Sequence, residues 1–158
     1  MEKIIIKPNP NGDTRHAPKD VTFEQFREAN KEHITDVGKV MNVLANKISE
    51  AGRNHDHTKI EYENLFFRDF LRTMIKGEDF TRGDFYKMHG DIERHHLNRA
   101  VPEDVNLIDV LEMISDCVCA GAARSGEMFE LKLDNNILED AVNNTVRLVQ
   151  SMIEIEEK

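Results

Sequence analysis

The sequence predicts an all-α protein, a bundle of about five helices with a short N-terminal β arm. Three observations support this fold class. Apolar residues recur every three or four positions through most of the chain after residue 21. Residues typical of helix starts and helix ends flank these stretches. The length of 158 residues suits one domain with a substantial core. We therefore assign 1–158 to a single domain, with 1–20 as the arm and 21–155 as the helical core.

The N-terminal arm carries the one convincing strand signal in the sequence. Three consecutive isoleucines, Ile4 to Ile6, are followed by Pro8, and residues 9–13 (NPNGD) are typical of consecutive turns. A single short strand is marginally stable on its own. We expect it to pack on the helices or to pair with a partner chain.

The first helix is predicted over residues 23–51. Thr22 and Gln25 have the spacing of a capping box, in which each side chain bonds the other residue's backbone N–H. We expect Gly52 to end the helix. The apolar positions that follow the helical period are Phe26, Ile34, Val37, Val40, Met41, Leu44, Ala45 and Ile48.

Two further helices follow before Pro102. The second is predicted to begin near Asp56 or Thr58 and to continue to Lys76, where Gly77 ends it. The third is predicted over residues 84–99, where apolar residues again follow the helical period.

The fourth helix, over about residues 103–123, is the most apolar and should be central. It also carries Asp109, Glu112 and Asp116 on one side. Acids on a buried helix need partners because an unpaired buried charge is costly. For Asp109 we expect an ion pair on the helix face. A last amphipathic helix is predicted to be capped by Asp134 or Asn135, and the acidic tail 154–158 is expected to fray.

Composition limits the classes of partner. The formal net charge of −9 disfavours binding to long nucleic acids or to anionic membranes. No apolar run approaches the roughly 20 residues of a membrane span, and the N-terminus does not resemble a signal peptide. These features predict a cytoplasmic protein. Side chains two positions apart on a helix point away from each other, so a disulfide between Cys117 and Cys119 is not expected. We interpret them as small, buried, reduced thiols in preference to a Cys-x-Cys metal site.

Histidines and acids from several predicted helices suggest a metal centre. The adjacent pair His55-Asp56 offers a nitrogen and an oxygen ligand within one turn. Such mixed ligands favour Mn, Fe, Co, Ni or Zn, with Mg also compatible. One or two ions would lower the pKa of a bound water to about 7 and so provide a nucleophile for hydrolysis of a phosphate ester. The candidate metal ligands are His33, His55, Asp56, His95, His96 and Asp116.

Other charged residues are candidates for substrate contact or catalysis. Lys59, one turn after His55, could neutralise phosphate charge in the transition state or could form a solvated ion pair with Glu63. Arg15 and Arg124 are candidates for substrate binding, and the alternative for each is a solvated surface side chain. Glu112 is either a general base or, preferably, an acceptor for a ligand histidine. The candidate catalytic residues are Asp56, Lys59 and Glu112.

The order of these residues resembles the HD-domain superfamily of metal-dependent phosphohydrolases, and most closely small HD-like proteins encoded by bacteriophages. The likeness extends over about residues 1–155. The stretches that carry it are 12–15 (GDTR), 55–59 (HDHTK), 93–96 (ERHH) and 106–116 (NLIDVLEMISD).

The resemblance implies an HD-like fold and distinct roles for the ligands. His95 and His96 would serve a second metal or the phosphate. Some relatives have a further histidine pair where this chain has Ala100 and Val101, and His89 is the nearby substitute. The core metal ligands that the resemblance implies are His33, His55, Asp56 and Asp116.

Three functional hypotheses follow. The first is a phosphohydrolase, a phosphomonoesterase or phosphodiesterase, that acts on a nucleotide or other small phosphoester in the cytoplasm, or in the host cytoplasm if the protein is phage-encoded. The second is a catalytically silent HD-like module that binds a nucleotide or a protein. The third is a metal ion that only stabilises a small helical protein. Each is compatible with a homodimer.

Overall fold

The computed structural model describes residues 3–157 and confirms an all-α fold with a short β arm. Within that part of the chain, five helices have nine or more residues, and none is long and apolar enough to cross a membrane. The elements are β1 (Ile4–Ile6), α1 (Phe23–Asn54), α2 (His57–Glu61), α3 (Glu63–Lys76), α4 (Asp84–Ile92), α5 (Leu107–Ser125), α6 (Asn135–Met152) and β2 (Ile153–Ile155).

The chain divides into two compact units. One combines the chain up to Lys47 with the chain from Val146 onwards, and the other is Ile48–Thr145. The assignment of 1–158 to one domain remains a prediction.

The first unit contains a parallel pair of strands that joins the two ends of the chain. Ile4 pairs with Ile153 and Ile6 with Ile155, and the Glu156 N–H donates to the Ile6 carbonyl at 2.9 Å. The expectation that the tail frays is therefore wrong for residues 154–156, while Lys158 lies outside the described residues. The reason is that β1 leaves backbone groups unpaired, and β2 satisfies those on one edge.

The first helix begins as the sequence predicts. The Gln25 side chain accepts from the Thr22 N–H at 2.9 Å, and the Gln25 N–H donates to Thr22 Oγ1 at 3.3 Å, so the capping box is confirmed. The predicted end at Gly52 is wrong because α1 continues to Asn54. The chain leaves the helical path at Asp56, whose φ of 55° is left-handed.

The second and third predicted helices differ from those observed. A break at Tyr62, with φ −114° and ψ 32°, separates α2 from α3, whereas one helix was expected. The end at Gly77 is confirmed, since its φ of 66° suits glycine. The third helix was expected to reach residue 99 but ends at Ile92, because Glu93 is extended and turns its buried carboxylate towards Thr58.

The core of the second unit lies around α5. Asn106 and Asp109 form a capping box at its start, which falls at Leu107 and not near residue 103 as predicted. The buried Asp109 carboxylate also accepts two hydrogen bonds of 2.8 Å from Arg94, which confirms the predicted ion pair. The buried apolar residues of this core are Leu97, Val105, Val110, Met113 and Ala141. Cys117 is partly buried and Cys119 is exposed, so the expectation that both thiols are buried is wrong for Cys119.

Gly121 is expected to be essential for the packing of the loop after α5. A Cβ atom there would lie 2.4 Å from the Glu127 carbonyl oxygen and 3.1 Å from the Phe129 ring. We expect Gly121→Ala to lower the free energy of unfolding by about 1–3 kcal/mol, measured by urea denaturation. The matched control is Gly38→Ala, where an added Cβ would meet no described atom within 4 Å apart from the adjacent residues and the neighbouring backbone of its own helix. That change should raise stability by about 0.5–1 kcal/mol, and equal effects at the two positions would contradict the prediction.

Candidate metal centre

Four segments of the second unit bring histidines and acids together. They are the turn between α1 and α2, the helix α4, the turns that follow α4, and the helix α5. The ligand atoms form two groups, each with its atoms within 4.8 Å of one another. One group consists of His55, Asp56 and His95, and the other of Asp56, His89 and His96.

Asp56 belongs to both groups and has an unusual backbone. It is the one non-glycine residue of the described chain with positive φ, a conformation that aspartate tolerates better than most residues. Its Oδ1 lies 3.3 Å from His89 Nε2 and 3.6 Å from His95 Nε2, and its Oδ2 lies 3.3 Å from His55 Nε2. Oδ1 is buried and has no hydrogen-bond partner. The local backbone thus directs one carboxylate at three imidazoles.

Glu112 orients the first group. Its Oε1 lies 3.0 Å from His55 Nδ1 in a hydrogen bond. The same oxygen lies 3.1 Å from His95 Nδ1, which is an ion-pair distance without hydrogen-bond geometry. A carboxylate can only accept, so Nδ1 of His55 carries a proton. In a neutral His55 ring, Nε2 then has a bare lone pair directed at Asp56 and at Asp116 Oδ1, 3.4 Å away.

A buried hydroxyl orients the second group. Thr58 Oγ1 donates to Glu93 Oε1 at 2.6 Å. It has only one proton, so its 2.6 Å contact with His89 Nδ1 requires that nitrogen to donate. Nε2 of a neutral His89 is therefore unprotonated, and it faces Asp56 Oδ1 at 3.3 Å and His96 Nε2 at 2.8 Å. The chain from Glu93 through Thr58 selects the tautomer of His89.

Burial keeps His89 and His96 neutral. It lowers the pKa of His96 to about 4, and the neighbouring rings of His95 and His89 add to the effect. It also lowers the pKa of His89, where the attraction of Asp56 opposes it. Both rings are consequently neutral at pH 7, the state in which imidazole binds metal ions.

The pKa values of Asp56 and Glu112 are both lowered, so these two carboxylates are ionised at pH 7. Burial raises the pKa of Asp56, but Lys59 and the histidines His55 and His89 lower it by more. Burial likewise raises the pKa of Glu112, and its contacts with His95 and His55 outweigh that effect. For His95, burial lowers the pKa but Glu112, Asp56 and Asp116 raise it overall. These acids favour a proton on His95, and a metal cation beside them would supply the same positive charge in place of that proton.

The donor set fits a divalent metal. In the neutral rings of His55 and His89, the unprotonated nitrogen faces the ionised Asp56 carboxylate, and such an arrangement is repulsive unless a cation lies between them. Asp56 Oδ1 and both ring nitrogens of His95 are buried without hydrogen-bond partners. Mixed nitrogen and oxygen ligands suit Mn, Fe, Co, Ni or Zn. These groups could therefore hold a metal ion, as the sequence predicts. The identity and the number of the ions remain predictions.

The structure brings most of the predicted site residues together. His55, Asp56, His95 and His96 are members of the two groups, and Asp116 lies beside the first. Lys59 forms an ion pair with Asp56, not the alternative pair with Glu63. These predicted residues thus meet at one centre.

Three further predicted residues are neither members of the two groups nor among the residues described above as lying beside them. His33 is an exposed residue of the first unit, so its role as a ligand remains a prediction. Arg15 is exposed and pairs with Asp13. Arg124 is exposed in the last turn of α5. The proposed substrate contacts of the two arginines also remain predictions.

Three residues of the centre were not among the site residues predicted from the sequence. His89 was considered only as a substitute, although its spacing of seven residues from His96 was visible. Thr58 and Glu93 were not assigned to the site at all. Their contacts join residues 35 positions apart, and no local pattern indicates such a contact.

Comparisons with protein-family models, with curated proteins and with solved structures found no match to this chain.

Proposed function

We propose that this centre hydrolyses a phosphoester with two divalent metal ions, which His55, Asp56 and His95 would hold on one side and Asp56, His89 and His96 on the other. The observation that carries the proposal is the position of Asp56, which is shared by two histidine groups and has a buried oxygen without a hydrogen-bond partner. Two ions would each have nitrogen ligands from different turns of the chain. The order of ligands in the HD-domain resemblance supports the same interpretation.

Phosphate ester hydrolysis suits this combination of charges. Metal ions bound here would supply a water activated for attack at neutral pH and a clamp for phosphate oxygens. Lys59 pairs with Asp56, so a metal ion that neutralised that carboxylate would leave the Lys59 ammonium free to contact the phosphate. Glu112 contacts two imidazoles, which favours a role in positioning His55 over a role as general base.

The test combines metal analysis with a substrate screen. The protein is purified with Mn²⁺, Co²⁺ or Ni²⁺, its metal content is measured by mass spectrometry, and phosphate release is assayed with nucleotides and simple phosphoesters. We expect two metal ions per chain and turnover of at least one ester. Absence of tight metal binding, in a preparation that is folded by circular dichroism, would overturn the proposal.

A substitution of Lys59 tests the phosphate contact. Lys59→Met is expected to lower kcat/KM by about 100-fold, because one cation at the transferring phosphoryl group is removed. Metal content should stay the same, since the ammonium is not a ligand. The matched control is Lys87→Met on the exposed surface of α4, which should leave kcat/KM unchanged. A Lys59 variant with full activity would show that the lysine only balances the charge of Asp56.

A further inference from the structure

A cavity of about 280 Å³ adjoins the candidate metal centre. It lies in the second unit between the last turns of α1 and the middle of α5. The cavity shares three residues with the metal centre. His55 is a member of the first metal group, and Glu112 and Asp116, which lie beside that group, also line the cavity. A substrate whose phosphate meets the metal ions would therefore have this cavity beside its ester group.

The rest of the lining is mostly apolar. Ile48, Ala51, Ile108 and Leu111 form its walls, and neither lysine nor arginine is among its lining residues. Ile48 and Leu111 remain 43% and 46% exposed, so apolar surface is available to a ligand. The titratable groups among its lining residues are the carboxylates of Glu112 and Asp116 and the imidazole of His55. An anionic group placed in this cavity, away from the metal ions, would meet the two carboxylates with no lysine or arginine beside it, which is strongly unfavourable.

The volume also limits the ligand. Pockets for drug-sized molecules measure about 300–1,000 Å³, so this cavity, at about 280 Å³, lies just below that range. It suits one ring system or a short alkyl group. A polyphosphate chain would be excluded by charge, and a dinucleotide by size.

We propose that this cavity binds the uncharged, apolar organic group of a substrate that carries a single phosphate. This inference rests on the proposed function and narrows it to monophosphate esters with a compact apolar body. In the reaction, a water oxygen forms a bond to phosphorus and the phosphorus–oxygen bond to the organic group breaks. The leaving oxygen takes a proton from the water, and the products are an alcohol and inorganic phosphate.

Binding of phosphonates tests the inference without turnover. Calorimetry in the presence of Mn²⁺ would compare methylphosphonate, phenylphosphonate and 4-carboxyphenylphosphonate. We expect phenylphosphonate to bind about 10- to 100-fold more tightly than methylphosphonate, because its ring leaves water. The added carboxylate should remove most of that gain. Equal binding of the two aryl compounds, or no gain from the ring, would overturn the inference.

Two variants locate the effect in the cavity. Ala51→Leu should fill it and reduce the affinity for phenylphosphonate to that for methylphosphonate, with metal binding unchanged. Ala45→Leu, at an exposed position of the same helix, is the matched control and should have no effect. Leu111→Lys places a cation at the partly exposed wall and should favour 4-carboxyphenylphosphonate instead. Unchanged preferences in both cavity variants would contradict the assignment.

The experiment also separates this inference from the proposed function. If the protein binds Mn²⁺ and hydrolyses nucleoside triphosphates as readily as monophosphate esters, the inference fails and the hydrolase proposal stands. If the protein binds no metal and no phosphonate, both fail.

Discussion

Asp56→Asn is expected to abolish binding of both metal ions and to lower kcat/KM by about 1,000-fold or more. The carboxylate is the one group that the two histidine clusters share, so its charge is needed at both positions. Asparagine has nearly the same shape and also tolerates the left-handed backbone at this position. The substitution therefore removes the charge and leaves the turn intact. Metal content and kinetics measured on the purified variant check the prediction.

The thermal stability of this variant distinguishes catalysis from a purely structural metal. A bound ion stabilises the native state by an amount that depends on its concentration and affinity. Wild type should therefore melt at a higher temperature with Mn²⁺ than with a chelator, and Asp56→Asn should melt at one temperature in both. In the chelator, the two proteins should be similarly folded. If wild type and Asp91→Asn, at an exposed site on α4, are folded with Mn²⁺ but unfolded in the chelator, and Asp56→Asn is unfolded in both, the metal ion is structural.

Local sequence signals predicted the parts of the fold that depend on near neighbours. The capping box of Thr22 and Gln25 and the left-handed Gly77 each act within four residues, so their effect is visible in the sequence. Hydrophobic periodicity likewise identified the helices of the bundle. The pairing of β1 with β2 could not be predicted in this way. Its partners lie 149 residues apart, and Ile153 continues the apolar pattern of the preceding helix.

The candidate site was predictable in its ligand types but not in its supporting contacts. His55, Asp56, His95 and His96 were identified because adjacent ligand residues are conspicuous. The end of α4 was not predicted, because it depends on a hydrogen bond between Glu93 and Thr58, which lie 35 residues apart in the sequence. In the continuous helix that was expected, His95 and His96 would have been successive helical residues, and their side chains would have pointed in different directions around the helix. An early helix end lets the turns place both beside Asp56.

The contact between Thr58 and Glu93 leads to the second large expected effect. Thr58 is fully buried, and its hydroxyl connects Glu93 to His89 through two hydrogen bonds of 2.6 Å. Thr58→Val keeps the shape but leaves a buried carboxylate oxygen and a ring N–H without this partner. The free energy of unfolding should fall by about 2–4 kcal/mol, which corresponds to a decrease in Tm of roughly 5–15 °C for a chain of this size.

Metal binding shows whether this hydroxyl also positions a ligand. Without it, His89 can rotate or change tautomer, so the group of Asp56, His89 and His96 should lose about 10- to 100-fold in affinity for its ion. The other group should be affected less. Thr58→Ser retains the hydroxyl and should restore both stoichiometry and affinity, whereas Thr81→Val, which removes an exposed hydroxyl bonded to Asp79, should leave metal binding unchanged. A Thr58→Val protein that is destabilised but binds two ions with wild-type affinity would assign the hydroxyl to folding alone. Selective loss of one ion, restored by serine, would make the buried chain from Glu93 part of the metal centre.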